Sequence, residues 1–250
     1  MKIIACYSIK GGVGKTASAV NLAYWAAKSG QRTLLLDLDP QGASSFYFRV
    51  KPAARKNWGK RFFKAYEEIL KQIRASDYED LDLIPAHLSF RNFDVLLEQL
   101  GKRKNRLRQA LKGLKKEYDL VFLDCPPSIS YLAENIFNAA DLVLVPVIPT
   151  TLSERTFEQL LKFFKHKDYD RNKLVPFFTM VESRKLMHKQ TAVAMRKNHK
   201  YFLRNAIPYA TDVEKMGQYR APLDTFAASK QANRAYQALW QEIATVLKRH

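Results

Sequence analysis

Residues 10–16 have the types and spacing of a loop that binds phosphate. They are Lys-Gly-Gly-Val-Gly-Lys-Thr, between an apolar run and a helical pattern. Glycines let the backbone curl so that several N–H groups point at phosphate oxygens, and the positive end of the following helix adds attraction. In such a loop Lys15 contacts the β- and γ-phosphates and the Thr16 hydroxyl binds Mg²⁺. A purely structural glycine turn is the alternative, but the flanking strand and helix patterns favour nucleotide binding.

Acidic residues follow two further apolar runs. Asp37 and Asp39 end Leu-Leu-Leu-Asp-Leu-Asp, and Asp124 ends Leu-Val-Phe-Leu-Asp. Residues two apart in an extended chain point to the same side, so Asp37 and Asp39 are expected together. A carboxylate near a terminal phosphate can orient or deprotonate the attacking water, or support bound Mg²⁺. Capping of the next segment is the other interpretation, and it suits Asp37 better than Asp39.

Apolar runs alternate with helical patterns and indicate which elements position these groups. Strands are predicted at residues 2–8, 32–37, 81–85, 120–124, 142–147 and 174–179, and helices at residues 15–29, 62–74, 106–118 and 154–165. Continuous apolar strands separated by helices predict an α/β fold with a mainly parallel sheet covered by helices on both faces. Active sites of such sheets lie at the C-terminal strand ends, where all the polar groups above fall.

Length and composition restrict the class of protein further. The chain has 250 residues and no internal repeat or low-complexity linker, so we expect one domain spanning residues 1–250. A hydrophobic content of 47% excludes a disordered basic tail, although the net charge is +18. That charge predicts a polyanionic partner, either nucleic acid or an anionic membrane surface. Two distant cysteines and no apolar run long enough to cross a bilayer predict a cytoplasmic protein without disulfides.

The phosphate loop departs from the common pattern G-x-x-x-x-G-K-[ST] at its first position. Ile9 stands where glycine is usual, and Lys10 adds a second lysine. At these residues the sequence resembles the deviant Walker A ATPases, the class that contains ParA partition ATPases and MinD. The resemblance covers nearly the whole chain and implies a P-loop NTPase-like fold with ATP and Mg²⁺ as cofactors. It also implies a homodimer in the ATP-bound state, in which Lys10 reaches the nucleotide of the second subunit.

The resemblance also assigns roles to individual residues. The implied catalytic set is Lys10, Lys15 and Asp39, the Mg²⁺ set is Thr16, Asp37 and Asp124, and the nucleotide-binding set is Lys10, Gly11, Gly12, Val13, Gly14, Lys15, Thr16, Ala17, Met180 and Pro208. Within the catalytic set, Asp39 takes the role of activating the attacking water.

Later strand ends of the family usually hold the adenine base. Met180 and Pro208 match base-contacting positions there, although Met180 is equally compatible with plain core packing. Ala210 stands where family members often have an asparagine, so a side-chain contact with adenine is expected to be lost. Tyr209 and Asp212 replace two family arginines, which moves the expected DNA contacts away from this loop.

Positive charge is concentrated in residues 49–64, 102–116 and 183–211. A charge run is usually a solvated helix face, which we expect for much of 102–116. The third segment contains no Asp or Glu. Small ParA-type ATPases bind DNA without sequence preference through basic residues on one face of the dimer, so the resemblance implies DNA contacts here. The expected contacts are Lys185, Lys189, Arg196, Lys197, Lys200 and Arg204.

Apolar residues at helical spacing between Tyr236 and Leu247 predict a final helix. MinD-type relatives bind membranes through an amphipathic C-terminal helix. An apolar helical stripe is more often core, so we expect this helix to dock on the sheet. The phosphate loop begins at residue 10, and we therefore expect the small form of the family, without an N-terminal helix-turn-helix domain.

Together these features predict a slow ATPase that dimerises on ATP, binds nonspecific DNA, and positions or segregates DNA or a protein cargo. The expected partner is a ParB-like or other adaptor protein that stimulates hydrolysis, and the expected location is the cytoplasm, in association with the nucleoid. A MinD-like ATPase that cycles on a membrane is the alternative, which the expected docking of the final helix disfavours. A metabolic P-loop enzyme acting on a small substrate is the third hypothesis.

Overall fold

The computed structural model describes residues 1–52, 58–63, 66–101, 104–199 and 201–249. Within them one sheet contains β1 (Lys2–Cys6), β2 (Thr33–Asp37), β3 (Arg74–Ala75), β4 (Leu81–Ile84), β5 (Leu120–Asp124), β6 (Leu142–Val147) and β7 (Leu174–Phe178). The strand order is β3-β4-β2-β5-β1-β6-β7, and every neighbouring pair is parallel except β3 and β4. The predicted mainly parallel sheet is therefore confirmed.

Helices cover both faces of this sheet. They are α1 (Lys15–Lys28), α2 (Ala43–Tyr47), α3 (Trp58–Phe62), α4 (Tyr66–Leu70), α5 (Phe93–Gln99), α6 (Arg106–Leu111), α7 (Tyr131–Ala139), α8 (Thr151–His166), α9 (Leu186–Asn198), α10 (Thr211–Tyr219), α11 (Leu223–Ala227) and α12 (Gln231–Leu247). One buried cluster joins the sheet to α1, α10, α11 and α12. The cluster on the opposite face includes α5, α6, α7 and α8.

The side chains of β1 show why both faces need cover. Ile3 and Ala5 belong to one buried cluster, whereas Ile4 and Cys6 belong to the other. Successive side chains of a strand point to opposite faces, so a strand that is apolar throughout is buried only between two helical layers. This layering brings the C-terminal ends of β1, β2 and β5 together at one edge of the sheet, since β5 lies between the other two.

The predicted helix at residues 62–74 is wrong. Residues 66–70 form a short helix, and Arg74–Ala75 pairs antiparallel with β4, which satisfies backbone groups at the edge of the sheet. Residues 64 and 65 lie outside the described residues. The predicted helix at 106–118 ends at Leu111 and continues as 3-10 turns over Lys112–Lys116. There Gly113 packs so closely on the Tyr66 ring that a β-carbon would overlap it.

The last helix docks on the sheet, as predicted. Tyr236, Leu239, Trp240 and Ile243 of α12 are all buried, in the cluster that contains α1. The Trp240 indole N–H donates to Ser29 Oγ at 3.0 Å, which ties this helix to the end of α1. Within the described ranges, no helix combines the length and apolarity that crossing a membrane would require.

Candidate active site

The C-terminal ends of the central strands open into a cavity of about 400 Å³. Its first wall is formed by Gly11, Gly12, Gly14, Lys15, Thr16 and Ala17, that is, by the loop after β1 and the start of α1. Its second wall is formed by Thr179, Met180, Ile207, Pro208, Tyr209, Ala210, Val213 and Glu214, and Asp39, Tyr47, Pro127 and Tyr236 also reach it. The cavity therefore joins most of the residues that were predicted to bind nucleotide.

Glycine is required at two points of the phosphate loop. Gly12 and Gly14 have φ angles of +70° and +82°, in the left-handed region that side chains disfavour. Gly14 precedes α1, and a β-carbon there would lie 3.2 Å from Thr179 Oγ1. A β-carbon at Gly12 would meet nothing within 4 Å, so this backbone is open to a bound group. The loop is shaped to present backbone rather than side chains.

Lys15 is a cation held inside this loop. Lys15 is only 7% exposed, and its Nζ donates to the Lys10 carbonyl oxygen at 3.2 Å. Burial lowers the pKa of Lys15, and the negative charge of Asp124 opposes that shift. Among the described residues the hydrogen-bond acceptor of this buried ammonium is a neutral carbonyl, so the group is well suited to an anionic ligand that replaces or extends that contact.

Asp37 and Asp124 form a pair of fully buried carboxylates, opposite one another on β2 and β5. Helix α2 covers them with two serines. Ser45 donates its backbone N–H and hydroxyl to Asp37 Oδ2 at 2.9 and 2.7 Å, and the Ser44 hydroxyl donates to Asp124 Oδ2 at 2.7 Å. Burial raises the pKa of both carboxyl groups, and repulsion by Asp124 raises that of Asp37 further.

The carboxylate pair fits a divalent cation. Asp37 Oδ1 and Asp124 Oδ1 are buried and have no hydrogen-bond partner among the described residues. The Thr16 hydroxyl lowers the pKa of Asp124 and Thr16 lines the cavity, so a cation between the two residues would contact hydroxyl and carboxylate oxygens, as Mg²⁺ prefers. The described ranges contain no group of three or more His, Cys, Asp or Glu side chains placed to hold a metal.

Asp39 differs from Asp37 in its surroundings. It is half-buried and lines the cavity, and its Oδ1 accepts the Gln41 backbone N–H at 3.0 Å. Asp37 does not line the cavity and lies beneath α2. The chain turn after β2 therefore separates the two carboxylates: one is open to a ligand and the other is held within the protein.

Two residues of the predicted nucleotide-binding set do not line the cavity. The Val13 side chain is buried in the core. Lys10 is half-buried and lies on the other side of the loop, near Val147 of β6 and Ser153 of α8. Met180, by contrast, is half-buried in a left-handed conformation with φ of +52° and lines the cavity with Pro208. Their contact with a base stays a prediction.

The predicted DNA-binding residues have different surroundings. Lys189 and Lys197 are exposed on α9, whereas Lys185 pairs with Glu182. Arg196 donates to the Leu203 and Arg204 carbonyl oxygens, and its guanidinium lies over the Phe178 ring. Arg204 is exposed. Lys200 lies outside the described residues, as do several basic residues in segments 53–57, 64–65 and 102–103.

The residues that support the site were not predicted from the sequence. Ser44 and Ser45 orient the buried carboxylates, and Tyr209 and Glu214 form a hydrogen-bonded pair in the second wall. The only sequence signal for the serines is their place a few residues after the acidic strand end. Nothing in the sequence brings Glu214 to the cavity, because its position depends on how α10 packs.

A parallel sheet with a glycine loop leading into α1, and buried carboxylates at the neighbouring strand ends, defines a P-loop ATPase. Residues 1–175 match a family model described as an AAA domain. The chain is 30% identical over 251 residues to the sporulation initiation inhibitor protein Soj of Bacillus subtilis, covering 97% of this chain and 98% of that protein. It is 28% identical over 250 residues to the chromosome partitioning protein ParA of Caulobacter vibrioides, covering 97% and 94%.

A solved structure agrees with these relatives. The plasmid partition protein of Borrelia burgdorferi bound to AMPPNP superimposes with a TM-score of 0.78, at 25% identity and with 98% of both chains covered. The chain therefore belongs to the AAA domain family, as a ParA-type ATPase, which confirms the resemblance seen in the sequence.

Proposed function

We propose that this chain binds ATP and Mg²⁺ in the cavity, dimerises when ATP is bound, and hydrolyses ATP in a cycle that positions or segregates DNA or a protein cargo. The observation that carries the proposal is the pair of buried carboxylates with free oxygens, of which Asp124 lies beside Thr16 and Lys15 of the glycine loop. The Soj and ParA relatives and the AMPPNP-bound partition protein support it.

The mechanism follows from positioning and electrostatics. Lys15 and the glycine-loop N–H groups would neutralise the phosphates, and Thr16 and Asp124 would hold Mg²⁺, with Asp37 behind them. Bound Mg²⁺ supplies positive charge to the phosphate oxygens. Asp39 is the carboxylate open to the cavity, so it orients the attacking water and accepts its proton.

Dimerisation gives Lys10 its role. Its side chain does not line the cavity of its own chain, which is consistent with a contact to the nucleotide of a second subunit. Positive charge from the second subunit would stabilise charge on the transferred phosphate only in the dimer. An adaptor protein, ParB-like or of another kind, stimulates hydrolysis and ends the cycle.

Nonspecific DNA is the partner that best suits the basic surface. The exposed lysines Lys189 and Lys197 on α9 are the strongest candidates for phosphate contacts. Arg196 is tied to backbone carbonyls, so we assign it mainly to holding α9 in place. A cytoplasmic, nucleoid-associated location follows from DNA binding. In the described part of α12, Tyr236, Leu239, Trp240 and Ile243 are buried against the sheet and do not form an exposed apolar face of the kind that binds membranes. This burial argues against the MinD-like alternative.

The experiment compares ATP binding and ATP-dependent retention on duplex DNA for the unmodified protein, Lys15→Gln, Asp39→Ala and the exposed-site control Lys115→Gln. We expect Lys15→Gln to lose productive ATP binding and Asp39→Ala to stay on DNA as an ATP-bound dimer without turnover. The control should behave like the unmodified protein. Unchanged ATP affinity in Lys15→Gln, or retention on anionic vesicles in place of DNA, contradicts the proposal.

A further inference from the structure

Two exposed aromatic rings lie at the adjoining ends of α2 and α10, outside the nucleotide cavity. Phe46 of α2 is 49% exposed, and Tyr219, the last residue of α10, is 55% exposed. Neither residue lines the cavity. Single exposed apolar side chains are ordinary, so the meaning of these two depends on whether they belong to one surface.

Contacts of the neighbouring planar groups join the two rings into one surface. The guanidinium of Arg220, the residue after Tyr219, lies 4.5 Å from the centroid of the Phe46 ring. The Tyr219 ring stacks on Phe226, with centroids 4.3 Å apart and planes 20° apart. Each ring is therefore held on one face by the protein, while about half of its surface stays open to solvent.

Two arginines with a left-handed backbone border the Phe46 ring. Arg49 and Arg220 have φ angles of +59° and +50°. Both donate to the Phe46 carbonyl oxygen at 3.1 Å, Arg49 through its backbone N–H and Arg220 through Nε. Such a backbone is costly for a residue with a β-carbon and persists where the surrounding contacts fix it. The two cationic residues are thus fixed beside the ring.

Positive charge predominates around the rings. Arg49 and Lys51 are exposed just after α2, and Arg220 lies between the two rings. One acidic side chain, Asp77, pairs with Arg49. The acidic residues of α10 are in its first turn, at the opposite end of the helix from Tyr219. In a chain with a net charge of +18, this surface is complementary to a polyanion.

Exposed ring faces beside cations fit nucleic acid whose bases are unpaired. Every base has a flat face that stacks on an aromatic ring, and its phosphates are attracted by arginine and lysine. Within a duplex the base faces are stacked on one another and are not available to such rings. The basic segment at residues 49–64 does not supply these faces from Trp58 or Phe62, because both are buried.

We propose that Phe46 and Tyr219 form a binding site for single-stranded nucleic acid, in which unpaired bases stack on the open faces of the two rings and Arg49 and Lys51 contact the adjoining phosphates. This site differs from the duplex-binding surface proposed for α9 in its position and in the part of the nucleic acid that it contacts. It does not depend on bound nucleotide.

The test is equilibrium binding, by fluorescence anisotropy, of labelled strands of about 15 nucleotides. An oligothymidylate is compared with an abasic strand that has the same number of phosphates. Because only the first strand carries bases, we expect the unmodified protein to bind it about tenfold or more tightly than the abasic strand, with or without ATP. An oligouridylate of the same length is the RNA probe, and base-dependent binding of either strand supports the inference.

Substitution of the rings separates stacking from charge. Phe46→Leu and Tyr219→Leu should each weaken oligothymidylate binding about tenfold and leave affinity for the abasic strand and for duplex DNA within about twofold. Tyr219→Phe keeps the ring and should keep the affinity. Tyr201→Leu is the matched control, because Tyr201 is 45% exposed but lies beside Phe157, in the helical layer on the opposite face of the sheet.

Two results would overturn the inference. One is equal binding of the base-carrying and abasic strands by the unmodified protein, and the other is an unchanged oligothymidylate affinity in both leucine variants. Either result leaves the proposed function standing, because ATP binding and duplex retention do not use these rings. Self-association of the nucleotide-free protein that Tyr219→Leu abolishes, without base-dependent binding, would assign the rings to a second copy of the chain and also overturn the inference.

Discussion

At the scale of single residues, the candidate site contains two carboxyl groups that the fold removes from water. Asp37 and Asp124 lie opposite one another with no exposed surface, and each is supported by one serine. Desolvation, followed by the charge of Asp124, raises the pKa of Asp37. A raised carboxyl pKa means that ionisation of Asp37 opposes folding, so this residue costs stability to the nucleotide-free protein at neutral pH.

The first prediction concerns Asp37→Asn in nucleotide-free, metal-free buffer. Because the pKa of Asp37 is raised in the folded state, protonation of Asp37 favours folding. This stabilisation is fully present below the pKa of the unfolded chain, near 4, and is lost as the pH rises through the pKa of the folded state. The gain in free energy of unfolding of Asp37→Asn over the unmodified protein should therefore be larger at pH 7.5 than at pH 5, as measured by urea titration. The exposed-site control Glu158→Gln should show no such pH-dependent gain. A uniform loss of stability in Asp37→Asn at both pH values would contradict the prediction.

At the scale of elements, α2 links the carboxylates to the second wall of the cavity. Ser44 and Ser45 contact the strand ends, and the next residue, Phe46, contacts Arg220 at the end of α10. Arg220 Nε donates to the Phe46 carbonyl oxygen at 3.1 Å, and its guanidinium lies 4.5 Å from the Phe46 ring centroid. Arg220 makes these contacts from a left-handed backbone with φ of +50°.

The second prediction separates the side-chain contact from the backbone strain of Arg220. Arg220→Ala loses the contact and keeps a β-carbon in the left-handed region, whereas Arg220→Gly loses the contact and relieves the strain. Alanine should therefore be the less stable variant by about 1 kcal/mol, as measured by urea unfolding. Both variants should show faster hydrogen exchange in α2. Equal stability of the two variants would show that the left-handed backbone at Arg220 is not strained. Unchanged hydrogen exchange in α2 would show that the Arg220 contact does not hold this helix.

The third prediction concerns α12, whose apolar side is part of the core. Trp240 is 5% exposed and contacts the ring of Phe122. Trp240→Ala should lower the free energy of unfolding by about 3–5 kcal/mol, since it leaves a cavity in a packed cluster. Gln241→Ala, at the exposed neighbouring position, should change stability by less than about 0.5 kcal/mol. A helix used for membranes would give another result: little loss of stability in Trp240→Ala and loss of retention on anionic vesicles.

At the scale of the whole molecule, a net charge of +18 is distributed over several surfaces. Lys189 and Lys197 are exposed on α9, while Lys112 and Lys115 are exposed on the 3-10 segment beside α6. In a dimer each contact with a DNA phosphate occurs twice, so DNA affinity should depend steeply on dimerisation and on salt.

The fourth prediction measures this dependence. The double variant Lys189→Glu with Lys197→Glu removes two lysines per subunit, or four per dimer. With ATP present, the slope of log affinity for duplex DNA against log salt should decrease in magnitude by about 3–4, at roughly 0.9 per phosphate contact. The control, Lys112→Glu with Lys115→Glu, carries the same charge change on another surface. A larger effect in the control would contradict the prediction and would show that DNA binds at residues 112–116.

The fold class and the glycine loop could be predicted from the amino-acid sequence. Apolar runs 120–124 and 142–147 coincide with β5 and β6, because strands buried on both faces leave an unbroken hydrophobic signal. The loop at residues 10–16 was equally predictable, since Gly12 and Gly14 adopt left-handed backbone conformations that favour glycine. The short elements between residues 62 and 75 were not predictable, because pairing with β4 and packing on Tyr66 override local propensity.

The difference between Asp37 and Asp39, and the lining of the second wall of the cavity, could not be predicted from the sequence. Both carboxylates follow one apolar strand, but the fold of α2 buries the first and leaves the second open to the cavity. The pairing of Tyr209 with Glu214 depends on the way α10 packs over the strand ends, as does the arrangement of Arg220 on Phe46. Spacing along a chain specifies elements, whereas contacts between elements depend on packing, which no local pattern in the sequence records.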